Sequence, residues 1–117
     1  MSSQSVLVLD DEALIALDLS DAVREAGGRV IGPVMSIEDA VSVTESETPD
    51  IAFLDVNVRN QTSWELARIL LQKECRVVFF SADDKPATFE TDFEGCIYVR
   101  KPAMRQQILD ALDEVAV

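Results

Sequence analysis

Four stretches of this chain are apolar without the polar alternation of a half-exposed strand. They are VLVL at 6–9, IAFL at 51–54, VVFF at 77–80 and CIYV at 96–99. A strand with one wet face alternates, whereas a strand covered on both faces does not. RVIGPV at 29–34 reads as a fifth, shorter strand. Between the strands the period changes to that of a helix. Leu14, Ile15, Leu19, Ala22, Val23 and Ala26 recur at helical spacing, and Gly27-Gly28 stops that helix. Ser36, three residues before Asp39, opens a second helix that ends by Pro49. Trp64, Leu66, Ala67, Ile69, Leu70 and Leu71 mark a third helix over about 62–74. Segment 83–95 is polar and contains Pro86, so its helix is short. A last helix over about 103–115 buries Ile108, Leu109 and Leu112. Strand then helix, five times over, implies an α/β fold: a doubly wound, five-stranded, mostly parallel sheet covered on both faces.

In such a sheet, ligands sit outside the carboxyl ends of the strands. Strand one ends in Asp10 and Asp11, strand three in Asp55, strand four in Ser81, and strand five leads to Lys101. Taken singly, each has an ordinary structural explanation. Asp10-Asp11-Glu12 suits a helix start, Asp55 a turn cap, Ser81 a strand-end hydroxyl, and Lys101-Pro102 a turn dipeptide. Joint placement on one sheet edge changes that. Two like charges about 4 Å apart repel by about 4 kcal/mol at an effective dielectric near 20, so three gathered carboxylates require a cation. Lys101 supplies one charge. A hard divalent ion such as Mg²⁺ suits the oxygen ligands, and the lack of histidine and of paired cysteines disfavours zinc. Cation, ammonium and hydroxyl around one aspartate are the parts that phosphoryl transfer uses, and an aspartate can itself be the nucleophile.

Composition narrows the alternatives. With 48% hydrophobic and 27% charged residues, the 117 residues are those of one ordinary globular domain. The net charge is −12, and residues 1–58 hold twelve acids against Arg24 and Arg29 alone. Such a surface repels phosphate backbones, which argues against direct nucleic-acid binding. The absence of histidine excludes Ser-His-Asp and Cys-His catalysis, histidine metal sites and a phosphohistidine donor role. Cys75 and Cys96 form neither a disulfide framework nor a metal motif, no run is long enough to span a bilayer, and MSSQS is not a signal peptide start. A reducing cytoplasm is the expected location.

These strand-end residues resemble, in kind and order, the receiver domain of two-component response regulators, and the resemblance runs from Val6 to the last helix. It implies a flavodoxin-like (βα)5 fold with strand order 2-1-3-4-5. It also implies that Asp55 is the phosphoacceptor, and that Asp11 and Asp55 ligate Mg²⁺ directly. Asp10 would act mainly through a bound water, and Asn57 would lend its backbone carbonyl. Lys101 would contact the phosphoryl group, and Ser81 and Tyr98 would be the hydroxyl and aromatic of a switch. The implied donor is a sensor histidine kinase or phosphotransfer protein, and the implied output is contact with a downstream protein by a monomer or weak dimer. The only chemistry implied is the domain's own phosphotransfer and autodephosphorylation. One departure stands out: DVNVRNQTSWELA contains neither the Met-Pro nor the Asp-Gly that many receivers carry after the phosphoacceptor, so the loop before helix three should differ in shape.

Residues 1–117 read as a single receiver domain with no output domain after the last helix. That leaves a stand-alone regulator or a receiver cut from a longer hybrid, and the start MSSQSVLVLDDE favours the first. The chief alternative is a receiver-like binding module that works without phosphorylation; retention of Asp10, Asp11, Asp55, Ser81 and Lys101 weighs against it. A flavodoxin-like cofactor carrier would need a Ser/Thr/Gly-rich phosphate loop where this chain has Asp-Asp-Glu, and a haloacid-type phosphatase would need Asp-x-Asp and a cap domain.

Overall fold

The computed structural model describes residues 3–116. The order of elements is β1 (Ser5–Leu9), α1 (Ala13–Glu25), β2 (Arg29–Val34), α2 (Ile37–Ser46), β3 (Ile51–Asp55), β4 (Asn57–Val58), β5 (Gln61–Thr62), α3 (Trp64–Gln72), β6 (Arg76–Ser81), α4 (Phe89–Asp92), β7 (Ile97–Arg100) and α5 (Arg105–Val115). The main sheet is β2-β1-β3-β6-β7, and all four of its pairings are parallel. Setting aside the small β4–β5 ribbon, this is the flavodoxin-like order 2-1-3-4-5. The five expected strands are all present.

Unbroken apolar runs are explained by the two cores that flank the sheet. Alternate residues point to opposite faces. Val6, Val8, Phe53, Val78 and Phe80 pack under α1 and α5, against Leu19, Val23, Ile108 and Leu112. Leu7, Leu9, Leu54, Val77 and Phe79 pack on the other face, against Ala40 of α2, Leu66 and Leu70 of α3, and Phe89 of α4. With both sides dry, no position in β1 or β3 is left for a solvated side chain: every residue of these strands is buried.

Helix ends follow from local chemistry. Ser36 caps α2, its Oγ accepting from Asp39 N at 3.1 Å. At the end of α1, Gly27 N–H donates to Arg24 O and Gly28 N–H to Val23 O, which is the Schellman closure, with Gly27 at φ 87°. The end of α3 closes in the same way through Glu74 and Cys75, but there a glutamate occupies the left-handed position at φ 66°.

The structure corrects one expectation, the burial of Leu109, and refines two other readings. Leu14 lies on helical spacing yet is 79% exposed, and Ala26 is exposed as well. Spacing places a residue on a helix but does not say which arc meets the sheet. In α5, Leu109 is only half-buried, and Ala111 joins Ile108 and Leu112 in the core. Segment 83–95 does hold only the four-residue α4, but it is not a purely polar loop. Phe89 and Phe93 are buried against Phe79 and Trp64, with ring centroids 5.0–6.4 Å apart. Arg68 and Lys85 lie over the Phe93 and Phe89 rings. Four residues of helix cannot hold themselves, so this aromatic cluster fixes the segment.

Candidate functional site

Because β1, β3, β6 and β7 run in parallel, their last residues meet at one edge. Ligand oxygens of Asp10, Asp11 and Asp55 lie within 4.8 Å of one another. Asp10 follows β1 and is completely buried; its Oδ1 accepts from Glu12 N–H at 2.9 Å. Glu12 is the N-cap of α1 and makes no side-chain cap, so capping does not account for the acidic triplet. Lys101, just past β7, reaches back across the edge. Its Nζ lies 2.8 Å from Asp10 Oδ2, 3.2 Å from Asp55 Oδ1 and 3.6 Å from Glu12 Oε1, with its side chain 10% exposed.

One ammonium does not balance this cluster. Asp55 is pushed up to about 7, first by burial and then by the charge of Asp10, with a smaller push from Asp11; Lys101 opposes the shift without cancelling it. For Lys101, burial acts downward, but the hydrogen bond to Asp10 and the charges of Asp10 and Asp55 outweigh it, and the net shift is upward. The two directions agree on one picture: Lys101 serves Asp10 first, and Asp55 is left partly uncompensated. A carboxylate raised toward neutrality beside two others is one whose ionised form a divalent cation would stabilise. Three oxygen donors with no sulfur or imidazole suit Mg²⁺.

Ser81 ends β6, one residue beyond Phe80, which is the register partner of Asp55. It is buried, and its Oγ accepts from Asp83 N–H at 3.0 Å. Tyr98 on β7 is half-buried against Phe89, and its hydroxyl donates to Asp83 O at 2.9 Å and, more weakly, toward Asp84 O at 3.3 Å. Asn57, two residues past Asp55, donates through Nδ2 to Asp83 Oδ2 at 3.3 Å. Asp83 thus touches Ser81, Tyr98 and Asn57 through three different groups. Sequence reasoning passed over Asp83, since two of its three contacts use the backbone.

The segment after Asp55 has an unexpected form. Asn57–Val58 and Gln61–Thr62 make an antiparallel ribbon, turning through Arg59 at φ 50° and Asn60 at φ 66°. Ser63, fully buried, ties its base by donating Oγ to Asp55 O at 2.8 Å. At its tip, Arg59 N–H donates to Asp11 Oδ2 at 2.9 Å.

The sequence profile described as response regulator receiver domain matches residues 6–113. The sensory transduction protein LytT of Bacillus cereus is 31% identical over 110 residues, covering 92% of this chain and 45% of LytT. The chain therefore spans about half the length of the curated relatives it matches. The solution structure of SdrG from Sphingomonas melonis Fr1 superposes with a TM-score of 0.83 at 27% identity, covering 100% of both chains. The structure titled BeF3 Activated DrrB Receiver Domain also gives a TM-score of 0.83, at 22% identity over 97% of each chain, a likeness of fold alone.

Proposed function

The chain belongs to the response regulator receiver domain family of two-component signalling, and on that premise we propose that it accepts a phosphoryl group on Asp55. The observation that carries the reading is the gathering of Asp10, Asp11 and Asp55 within 4.8 Å, with Lys101 Nζ 3.2 Å from Asp55. The donor is a phosphohistidine of a sensor kinase or phosphotransfer protein. An Asp55 carboxylate oxygen attacks phosphorus, the P–O bond forms as the P–N bond breaks, and the released imidazole nitrogen keeps the electron pair and takes up a proton. Asp10, Asp11 and Asp55 would hold Mg²⁺, with the backbone carbonyl of Asn57 as a further oxygen and Asp10 acting mainly through water. When bound, Mg²⁺ supplies positive charge against the oxygens of the transferring group. Lys101 supplies a second positive charge on the same side.

The proposed unit is residues 1–117 acting as one receiver, cytoplasmic, monomeric or weakly dimeric, and signalling by protein contact rather than by turnover of a substrate. No described helix is long and apolar enough to cross a membrane. Leu14 and Met104, 79% and 73% exposed, lie two residues from Glu12 and three from Lys101, and offer apolar contact to a partner beside the site.

Intact mass after incubation with acetyl phosphate tests the chemistry. Wild type with Mg²⁺ should gain one phosphoryl group, and chelated wild type and Asp55→Asn should gain none. Full labelling of Asp55→Asn would remove Asp55 from its role.

The proposed switch uses Ser81 and Tyr98. A phosphoryl group brings strong acceptor oxygens. The Ser81 hydroxyl can leave Asp83 N–H for one of them, and Tyr98 stays bound to the Asp83 carbonyl, so the loop that joins them is where the change passes to residues 83–115. Ser81→Ala and Tyr98→Ala should still label at Asp55. With beryllofluoride, both should show smaller amide NMR shifts across 83–115 than wild type; undiminished shifts in both would exclude this route.

A further inference from the structure

We infer that the backbone amide of Arg59 is a positioning group that holds Asp11 in the acidic cluster and so preassembles the cation site. This rests on the reading of that cluster as a receiver's cation site. The three carboxylates are not held alike. Asp10 has Lys101 and Glu12 N–H, and Asp55 has Lys101, but the contact described for Asp11 is the single 2.9 Å bond from Arg59 N–H, made across 48 residues of sequence. Asp11 is also the least buried of the three. With Asp10 and Asp55 repelling it and water beside it, an untethered Asp11 would swing outward. The amide ties one oxygen, leaves the other for a ligand, and adds no charge that would compete with a cation.

The amide reaches Asp11 because of the turn beneath it. A two-residue loop with positive φ at both positions matches the twist of its strands and sets the tip residue's N–H outward from the ribbon. Here those positions are Arg59 and Asn60 rather than Asn-Gly. The ribbon is anchored at its root by buried Val56 and Val58, by Val56 N–H to Phe80 O at 2.9 Å, and by Ser63. Its tip is therefore referenced to the strand that carries Asp55. Asp11, on the neighbouring strand's exit, is located relative to Asp55 through this ribbon. A proline at 59 could not make the bond, because it lacks the N–H and fixes φ near −65°.

Two measurements on the full chain test this. Amide hydrogen exchange by NMR, in chelator, should show the Arg59 N–H exchanging at least roughly tenfold more slowly in wild type than in Asp11→Ala, because a turn-tip amide is otherwise open to water. Equal rates would overturn the inference. Calorimetric titration with Mg²⁺ should show Arg59→Gly binding close to wild type, since glycine keeps the N–H and the positive φ. Arg59→Pro should bind about tenfold more weakly, as expected for loss of a group that orients a ligand. Undiminished binding by Arg59→Pro would overturn the inference alone, and so would a Gly variant weakened as much as Pro, since that assigns the role to the guanidinium side chain. Failure of wild type to bind Mg²⁺ would overturn the cation-site reading together with it. Should Arg59→Pro not fold, the exchange comparison decides the matter by itself.

Discussion

In chelator at pH 8, Asp55→Asn should melt roughly 8 °C above wild type, a gain of about 2 kcal/mol for a domain of this size. The cause is the shift of Asp55 from 3.8 to about 7. Below about pH 4 both folded and unfolded states hold the proton, and the group costs nothing. From there to pH 7 the unfolded chain loses its proton while the folded chain keeps it, so stability falls as pH rises, and above 7 the loss is complete. Three units correspond to at most about 4 kcal/mol, and loss of the Lys101 contact in the Asn variant takes back part of that. The variant should therefore show a flatter stability curve between pH 4 and 7 and coincide most closely with wild type at the acid end. Added Mg²⁺ should stabilise wild type more than the variant, because it binds the ionised carboxylate and displaces the retained proton. Urea unfolding at pH 5 and 8, with chelator and with Mg²⁺, checks each part. A variant less stable than wild type at pH 8 in chelator would show that Lys101 already balances Asp55.

Much of this site is legible in the chain because strands are read from unbroken apolar runs and a parallel sheet fixes where their ends meet. Asp10, Asp11, Asp55, Ser81 and Lys101 each close or follow such a run, so topology alone brings them to one edge. What stays hidden has a different physical origin. The β4–β5 turn depends on two positive φ values at Arg59 and Asn60, and Arg-Asn carries no strong turn signal of the kind Asn-Gly does. The tether on Asp11 and two of the contacts of Asp83 use backbone groups, which every residue possesses and no motif marks. Leu14 shows the limit of periodicity: it sits on the apolar spacing of α1 but outside the arc that meets β1 and β3. Phe89 and Phe93 show the reverse, since two aromatics in an otherwise exposed segment suffice to anchor it once Trp64 and Phe79 stand opposite.

Lys101→Met should be the most destabilising change at this edge, costing about 3 kcal/mol at pH 8 in chelator. Lys101 Nζ is the only cation that an ion pair places on Asp10 among the described residues, and that carboxylate is completely buried. Methionine restores much of the volume and the apolar stem, so the loss isolates the charge rather than the packing. With the ammonium gone, Asp10, Asp11 and Asp55 repel without relief, and Asp55 loses the group that holds its proton affinity down in the folded state. The folded variant then binds more protons than its unfolded chain over a wider range, so its stability must fall more steeply with rising pH than that of wild type. The gap between the two proteins should be small near pH 5 and full at pH 8. Adding Asp55→Asn to Lys101→Met should recover more stability than Asp55→Asn gives alone, since it removes one member of a group whose energies are coupled. Mg²⁺ should rescue the single Lys variant in part by returning positive charge to the edge. Urea titrations at the two pH values decide it: an equal loss at both would mean that Lys101 contributes its methylenes and not its charge, and the electrostatic account of this edge would be wrong.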